Sequence, residues 1–210
     1  MADSTVSAPQ TRGRPRSEAA RQAILGATRA LLATTTIREL TIEAIAKKAG
    51  VGKTTIYRRW PSKVAVVIDA LEAIVPRSRL IASKCVSEAL QAQVRHLVEQ
   101  YRGRYGRIVA ELIAEGQADP AVLAAFRERF LLRRRAVARD LIEHGKATGE
   151  FDPNLDTDLA CDIIYGPVYY RLLVAHLPLD DEFADALSQR VFMALHPAGA
   201  YGSTRSPRSP

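Results

Sequence analysis

The apolar residues of this 210-residue chain recur at intervals of three and four, and no sustained alternation of apolar and polar positions interrupts them. A period near 3.6 puts such residues on one face of an α-helix, whereas a half-buried strand needs a period of two. No Asn-Gly or Asp-Gly pair between alternating residues marks a hairpin. The spacing therefore predicts an all-α fold of about nine helices.

Ser17 reads as the N-cap of a first helix with Ala20, Ile24, Ala27 and Leu31 on one face, ended by Thr34-Thr35-Thr36. A second starts at Thr41, whose hydroxyl can cap it, carries Ile42, Ile45, Ala46 and Ala49, and breaks at Gly50, which can turn left-handed. Gly52 to Trp60 reads as a third, stopped by Pro61, and Ser62 caps a fourth that runs toward Pro76. Longer helices are expected over about 83–103, 105–117, 120–146, 156–177 and 181–196, with breaks at Gly103/Gly106, Asp119-Pro120, Gly145 to Pro153 and Pro178. Gly166-Pro167 should kink the fourth of these. The organisation expected is a disordered basic arm at 1–16, a helix-turn-helix domain at 17–62, a larger helical domain at 63–197 and a disordered tail at 198–210.

The net charge of +7 is unevenly placed: residues 12–63 hold 12 Lys and Arg against 3 Asp and Glu, while residues 76–210 hold 18 against 17. Such a basic segment suits a polyanion, although a basic face can also be merely solvated. No run of about 18 apolar residues could span a membrane, and the first residues lack a signal-peptide pattern, so a cytoplasmic protein is expected. Cys85 and Cys161 lack metal or disulfide spacing and read as reduced core residues.

Two short helices joined through Gly50, the second carrying Lys53, Thr54, Thr55, Tyr57, Arg58 and Arg59, outline a helix-turn-helix. Lys53 can donate to guanine, and Thr54 and Thr55 can hydrogen-bond or touch a thymine methyl. Tyr57, Arg58 and Lys63 can reach phosphates. Ahead of it, Arg12-Gly13-Arg14-Pro15-Arg16 reads either as an arm for an A·T-rich minor groove or as a basic tail that never orders. Gly50-Val51-Gly52-Lys53-Thr54-Thr55 imitates a phosphate-binding loop, but Lys47 stands where glycine is required and a helical pattern precedes it.

The segment Leu40 to Lys63, with Gly50-Val51, Thr55-Ile56-Tyr57 and Trp60-Pro61-Ser62-Lys63, closely resembles the signature of the tetracycline-repressor (TetR) family. The resemblance implies that Thr41, Tyr57 and Lys63 hold phosphates while Lys53, Thr54 and Thr55 face bases. Arg58-Arg59 departs from the family pattern, which often has an aromatic residue or His there. The segment Ile163 to Val174, followed by Pro178-Leu179-Asp180, resembles the last two helices of one subgroup, which in the family form a four-helix dimer interface.

The chain beyond residue 62 carries six of the seven tyrosines, Tyr201 of the tail among them, and all the phenylalanines. Tyr101, Tyr105, Phe126, Phe130, Tyr165 and Tyr169 lie on helices that in the family enclose a ligand cavity, though any single such residue is more often core than ligand contact. Arg133-Arg134-Arg135 could hold an acidic ligand or be a solvated face. His96, His144, His176 and His196 form no HExxH, His96 with Glu99 makes only half a metal site, and no GxSxG or glycine-rich cofactor loop occurs. The expectation is a non-enzymatic homodimeric regulator without cofactor, metal or membrane partner, which binds a double-stranded DNA operator and is released by a small-molecule effector. An architectural DNA-binding protein without a ligand and a nucleotide-binding protein are the rivals.

Overall fold

The computed structural model describes residues 14–74 and 85–196, and these are helical or looped with no strand among them. They fall in two units, divided in the chain between Ala70 and Leu71. The first holds α1 (Arg14–Leu31), α2 (Ile42–Ala49), α3 (Lys53–Tyr57) and most of α4 (Lys63–Glu72). Thr41 Oγ1 accepts from the Ala44 amide at 3.1 Å and so caps α2 as its sequence predicts. Gly50 ends α2 with φ 66°, a left-handed turn natural to glycine. Ser62 Oγ likewise accepts from Ala65 at the start of α4. Ile24, Leu25, Ile45, Ile56 and Trp60 are all within 1% of full burial, and Trp60 Nε1 donates to Asp69 Oδ2 at 2.8 Å. That core fixes where α3 stands.

The second unit contains α5 (Val86–Tyr101), α6 (Arg104–Ala118), α7 (Pro120–Phe126), a π turn (Arg127–Leu131), α8 (Leu132–Thr148), α9 (Thr157–Val174) and α10 (Asp181–Leu195). Because α7, the π turn and α8 run without a break, the described residues amount to nine helical rods. Helix α5 is central, packed by α6, α8, α9 and α10, which explains why Val94 and Val98 are fully buried. Its amino end is closed from afar: the Glu150 carboxylate accepts from the amides of Val86 and Ser87 at 3.1 and 3.0 Å, from Ser87 Oγ at 3.0 Å and from Cys85 Sγ at 3.1 Å.

Several boundaries differ from expectation. Helix α1 begins at Arg14, so Ser17 is not its cap; Ser17 Oγ instead accepts from Arg59 Nη2 at 2.6 Å. Helix α3 stops at Tyr57 rather than Trp60, because the buried indole requires the chain to turn inward through Arg58 and Arg59. Gly103, with φ 75°, is the break between α5 and α6, whereas Gly106 lies inside α6. A Cβ on Gly106 would sit 1.9 Å from the Tyr101 carbonyl oxygen, so its role is close approach of two helices. Helix α9 holds Gly166-Pro167 inside it as expected, but it ends at Val174 rather than 177. Cys161 is buried as expected, but Cys85 is only partly buried and stands at the α5 cap. The expectations for residues 1–13 and 198–210, including Arg12, and for the loop around Pro76 lie outside the described residues.

Candidate DNA-reading face and buried aromatic site

Helix α3 has only five residues, and its one fully buried side chain is Ile56. Lys53, Thr54, Tyr57 and the following Arg58 are exposed, while Thr55 is partly covered. Positions 53, 54, 57 and 58 share one side of a helix, so the polar groups form a single outward face. Tyr57 leaves 53% of its surface in solvent, which no packing requirement within the unit explains. Thr41 and Lys63 each have a local role: Thr41 caps α2, and the partly buried Lys63 donates from Nζ to the Arg38 carbonyl at 3.2 Å.

Two partners of this face were not legible in the sequence. Lys53 Nζ donates to Glu43 Oε1 on α2 at 3.0 Å. This bond holds the Glu43 carboxyl below its ordinary range and lifts the Lys53 amine above its own. Arg59, beside the departure from the family pattern, is tied to Ser17 and lies 3.9 Å from Glu18. It braces α1 against the end of α3, while Arg58 has no such tie and both remain exposed. Arg14 and Arg16 belong to the first turn of α1 rather than to an extended arm.

In the second unit the predicted aromatic residues come together. Tyr101 meets Tyr105 and Tyr169 edge-on at 5.6 and 5.4 Å between ring centroids. Tyr105 lies 6.2 Å from Phe130, which stacks on Phe126 at 5.1 Å. The π turn carries Phe130, and such turns often accompany sites of function. The Tyr101 and Tyr169 hydroxyls bond each other at 2.9 Å, and Tyr165 Oη donates to the Arg134 carbonyl at 3.0 Å. Burial pushes the phenols of Tyr165 and Tyr169 up to about 12, and those of Tyr101 and Tyr105 also rise through burial. All four are neutral donors at physiological pH.

Arg134 completes the cluster, its guanidinium 4.5 Å from the Phe130 centroid and 5.5 Å from that of Tyr105. The arginine run thus divides: Arg133 is exposed, Arg135 pairs with Asp158 and Asp162, and Arg134 is turned inward with its side chain 14% exposed. The available signal was the spacing Phe126, Phe130, Arg134, one helical face in steps of four. Arg134 Nη2 is 3.7 Å from Glu72 Oε1, an ion-pair distance too long for a hydrogen bond. Three enclosed polar atoms, Arg134 Nε, Glu72 Oε1 and Tyr105 Oη, lack hydrogen-bond partners. Each such atom costs about 1–3 kcal/mol.

Helix α9 also presents an apolar stripe to solvent. Leu159, Ile163, Tyr170 and Val174 recur on one face and are 36% to 60% exposed, with Leu177 beyond the helix end and Met193 on α10 also open. Among the described residues no helix is long and apolar enough to cross a membrane, and no group of three His, Cys, Asp or Glu side chains could hold a metal.

A basic helix-turn-helix unit joined to a second helical unit with its own buried polar-aromatic site defines a DNA-binding transcriptional regulator. Residues 24–70 match the family model described as bacterial regulatory proteins, tetR family, and residues 82–191 match the tetracyclin repressor-like C-terminal domain. The chain is 34% identical over 190 residues to the uncharacterized HTH-type transcriptional regulator YdeS of Bacillus subtilis (strain 168), covering 90% of this chain and 96% of YdeS. It is 29% identical over 164 residues to the HTH-type transcriptional regulator AqdR of Rhodococcus erythropolis, covering 76% of each. The crystal structure of the TetR family transcription regulator SCO0332 superposes with a TM-score of 0.73 at 33% identity, over 85% of this chain and 99% of that one. The chain belongs to the TetR family of bacterial transcriptional regulators, which are DNA-binding proteins rather than enzymes.

Proposed function

We propose that the protein is a cytoplasmic repressor that binds its operator as a homodimer and leaves it when a small molecule enters the second unit. The observation that carries the reading is the outward face of α3, a short helix with one buried residue and an exposed row of Lys53, Thr54, Tyr57 and Arg58. On this reading residues 17–62 read DNA and residues 63–197 sense and dimerise. Lys53, Thr54 and Thr55 meet base edges in the major groove, while Thr41, Tyr57, Arg58 and Lys63 contact phosphates. Arg12, Arg14 and Arg16 add contacts to the DNA.

The ligand is held by Tyr101, Tyr105, Phe126, Phe130, Tyr165 and Tyr169, an apolar lining with few polar groups, as small-molecule sites require. The exposed stripe on α9 supports dimerisation, since a two-fold axis through it hides the same apolar residues on both copies. Release needs only differential affinity: a ligand that binds better to the conformation unable to span two half-sites depopulates the other. The test is a mobility-shift assay with the DNA flanking the protein's own gene, against an excess of random DNA. A complex that survives the competitor is expected. If random DNA competes equally, the protein binds DNA without an operator and the repressor reading fails.

A further inference from the structure

We propose that the ligand is a carboxylate on a flat apolar body, and that Arg134 receives its anionic end in the place held by Glu72 when the site is empty. This inference rests on the sensing reading above and concerns the same cluster. Arg134 offers five N–H donors, yet its bonds are sparse. Nη1 makes one long contact of 3.4 Å to Gln100 Oε1, Nη2 stands 3.7 Å from Glu72 Oε1, and Nε has no partner. The neighbouring Tyr105 hydroxyl, 92% buried by residue surface, has none either.

Two unused donors on neighbouring groups, one of them a guanidinium, call for an acceptor with two oxygens, which is the geometry of a carboxylate. Glu72 supplies that chemistry from within, but its oxygen remains beyond hydrogen-bond length and is itself unpartnered. A carboxylate ligand can close on Nε and Nη2 together while Tyr105 donates to the same group. The rings of Phe126, Phe130, Tyr105 and Tyr101 supply apolar faces for its body. A cationic ligand is disfavoured, because Arg134 already lies over Phe130 and Tyr105. A neutral carbonyl can accept from one donor but brings neither the second oxygen nor the charge that a guanidinium pairs with.

The exchange has a structural consequence. Glu72 is the last residue of α4, the helix that begins at Lys63 in the first unit. A ligand that takes Arg134 from Glu72 frees that end of α4, so binding of ligand and the Glu72 contact are competitive.

The test uses the full-length protein without DNA, titrated calorimetrically with benzoate and cinnamate and with their amides, benzamide and cinnamamide. At least one acid should bind at least tenfold tighter than its amide. Arg134→Met should erase that preference, Arg134→Lys should reduce it, and Glu72→Gln should tighten acid binding about tenfold by removing the internal competitor. The inference is overturned if neither acid binds, if the amides bind as well as the acids, or if Glu72→Gln leaves acid affinity unchanged. Preference retained by an Arg134→Met protein with wild-type circular dichroism overturns it too, and Glu72→Gln decides the matter should Arg134→Met fail to fold. DNA release is measured separately: release by neutral compounds alone keeps the sensing reading and discards the carboxylate. Acid binding without release does the reverse.

Discussion

On the proposed reading Lys53 and Lys63 give one residue type two tasks, Lys53 on the reading helix and Lys63 at the start of α4. Lys53 is exposed, and its bond to Glu43 is solvent-facing and weak, so a base edge can take the ammonium at small cost. Lys53→Ala should therefore cost roughly 1–3 kcal/mol on the operator and little on random DNA, measured by fluorescence anisotropy. Equal losses on both DNAs would show that Lys53 only positions the protein. Lys63, held at the Arg38 carbonyl, sits at the start of α4 rather than on the reading helix. Lys63→Ala should weaken all DNA alike and lower the salt slope by about 1. An unchanged slope in a folded variant would remove Lys63 from the phosphate contacts.

Single elements show which features a sequence discloses. Most caps and breaks that act within four residues were legible: Thr41, Gly50 and Ser62 behave as their spacing predicts, whereas Ser17 does not cap α1. The Lys53–Glu43 pair, ten positions apart, and the Glu150 cap of α5, more than 60 positions from its donors, obey no local period. The aromatic cluster could be anticipated as residue types on particular helices, but Arg134 was hidden inside a run of three arginines that face three ways. Glu150 gives the element-scale prediction. Burial opposes its ionisation, yet bonds from Cys85, Ser87 and the Val86 amide outweigh that and depress its pKa to about 2.

A carboxylate depressed in the folded state stabilises above its unfolded pKa of about 4.5, and that contribution disappears as pH falls through about 2. Glu150→Ala should accordingly lose about 2 kcal/mol in urea unfolding at pH 7. The gap from wild type should narrow from about pH 4.5 downward. A gap that stays constant to pH 2.5 would mean that Glu150 acts through packing rather than charge.

On the proposed reading the whole molecule depends on symmetry, since one five-residue reading helix contacts few bases and two linked copies gain from effective concentration. Tyr170→Asp combined with Val174→Asp places charge on the exposed α9 stripe. The variant should sediment as a monomer, keep its helical circular dichroism and bind the operator at least about 100-fold more weakly. A dimer that persists would move the interface off α9. The central claim, that α3 reads an operator as one half of a symmetric pair, is tested most directly by footprinting wild-type protein on the DNA flanking its gene. The account predicts two protected half-sites in inverted orientation, roughly 34–36 Å or a further whole helical turn apart. Uniform protection without half-sites, or none at all at saturating protein, would contradict it.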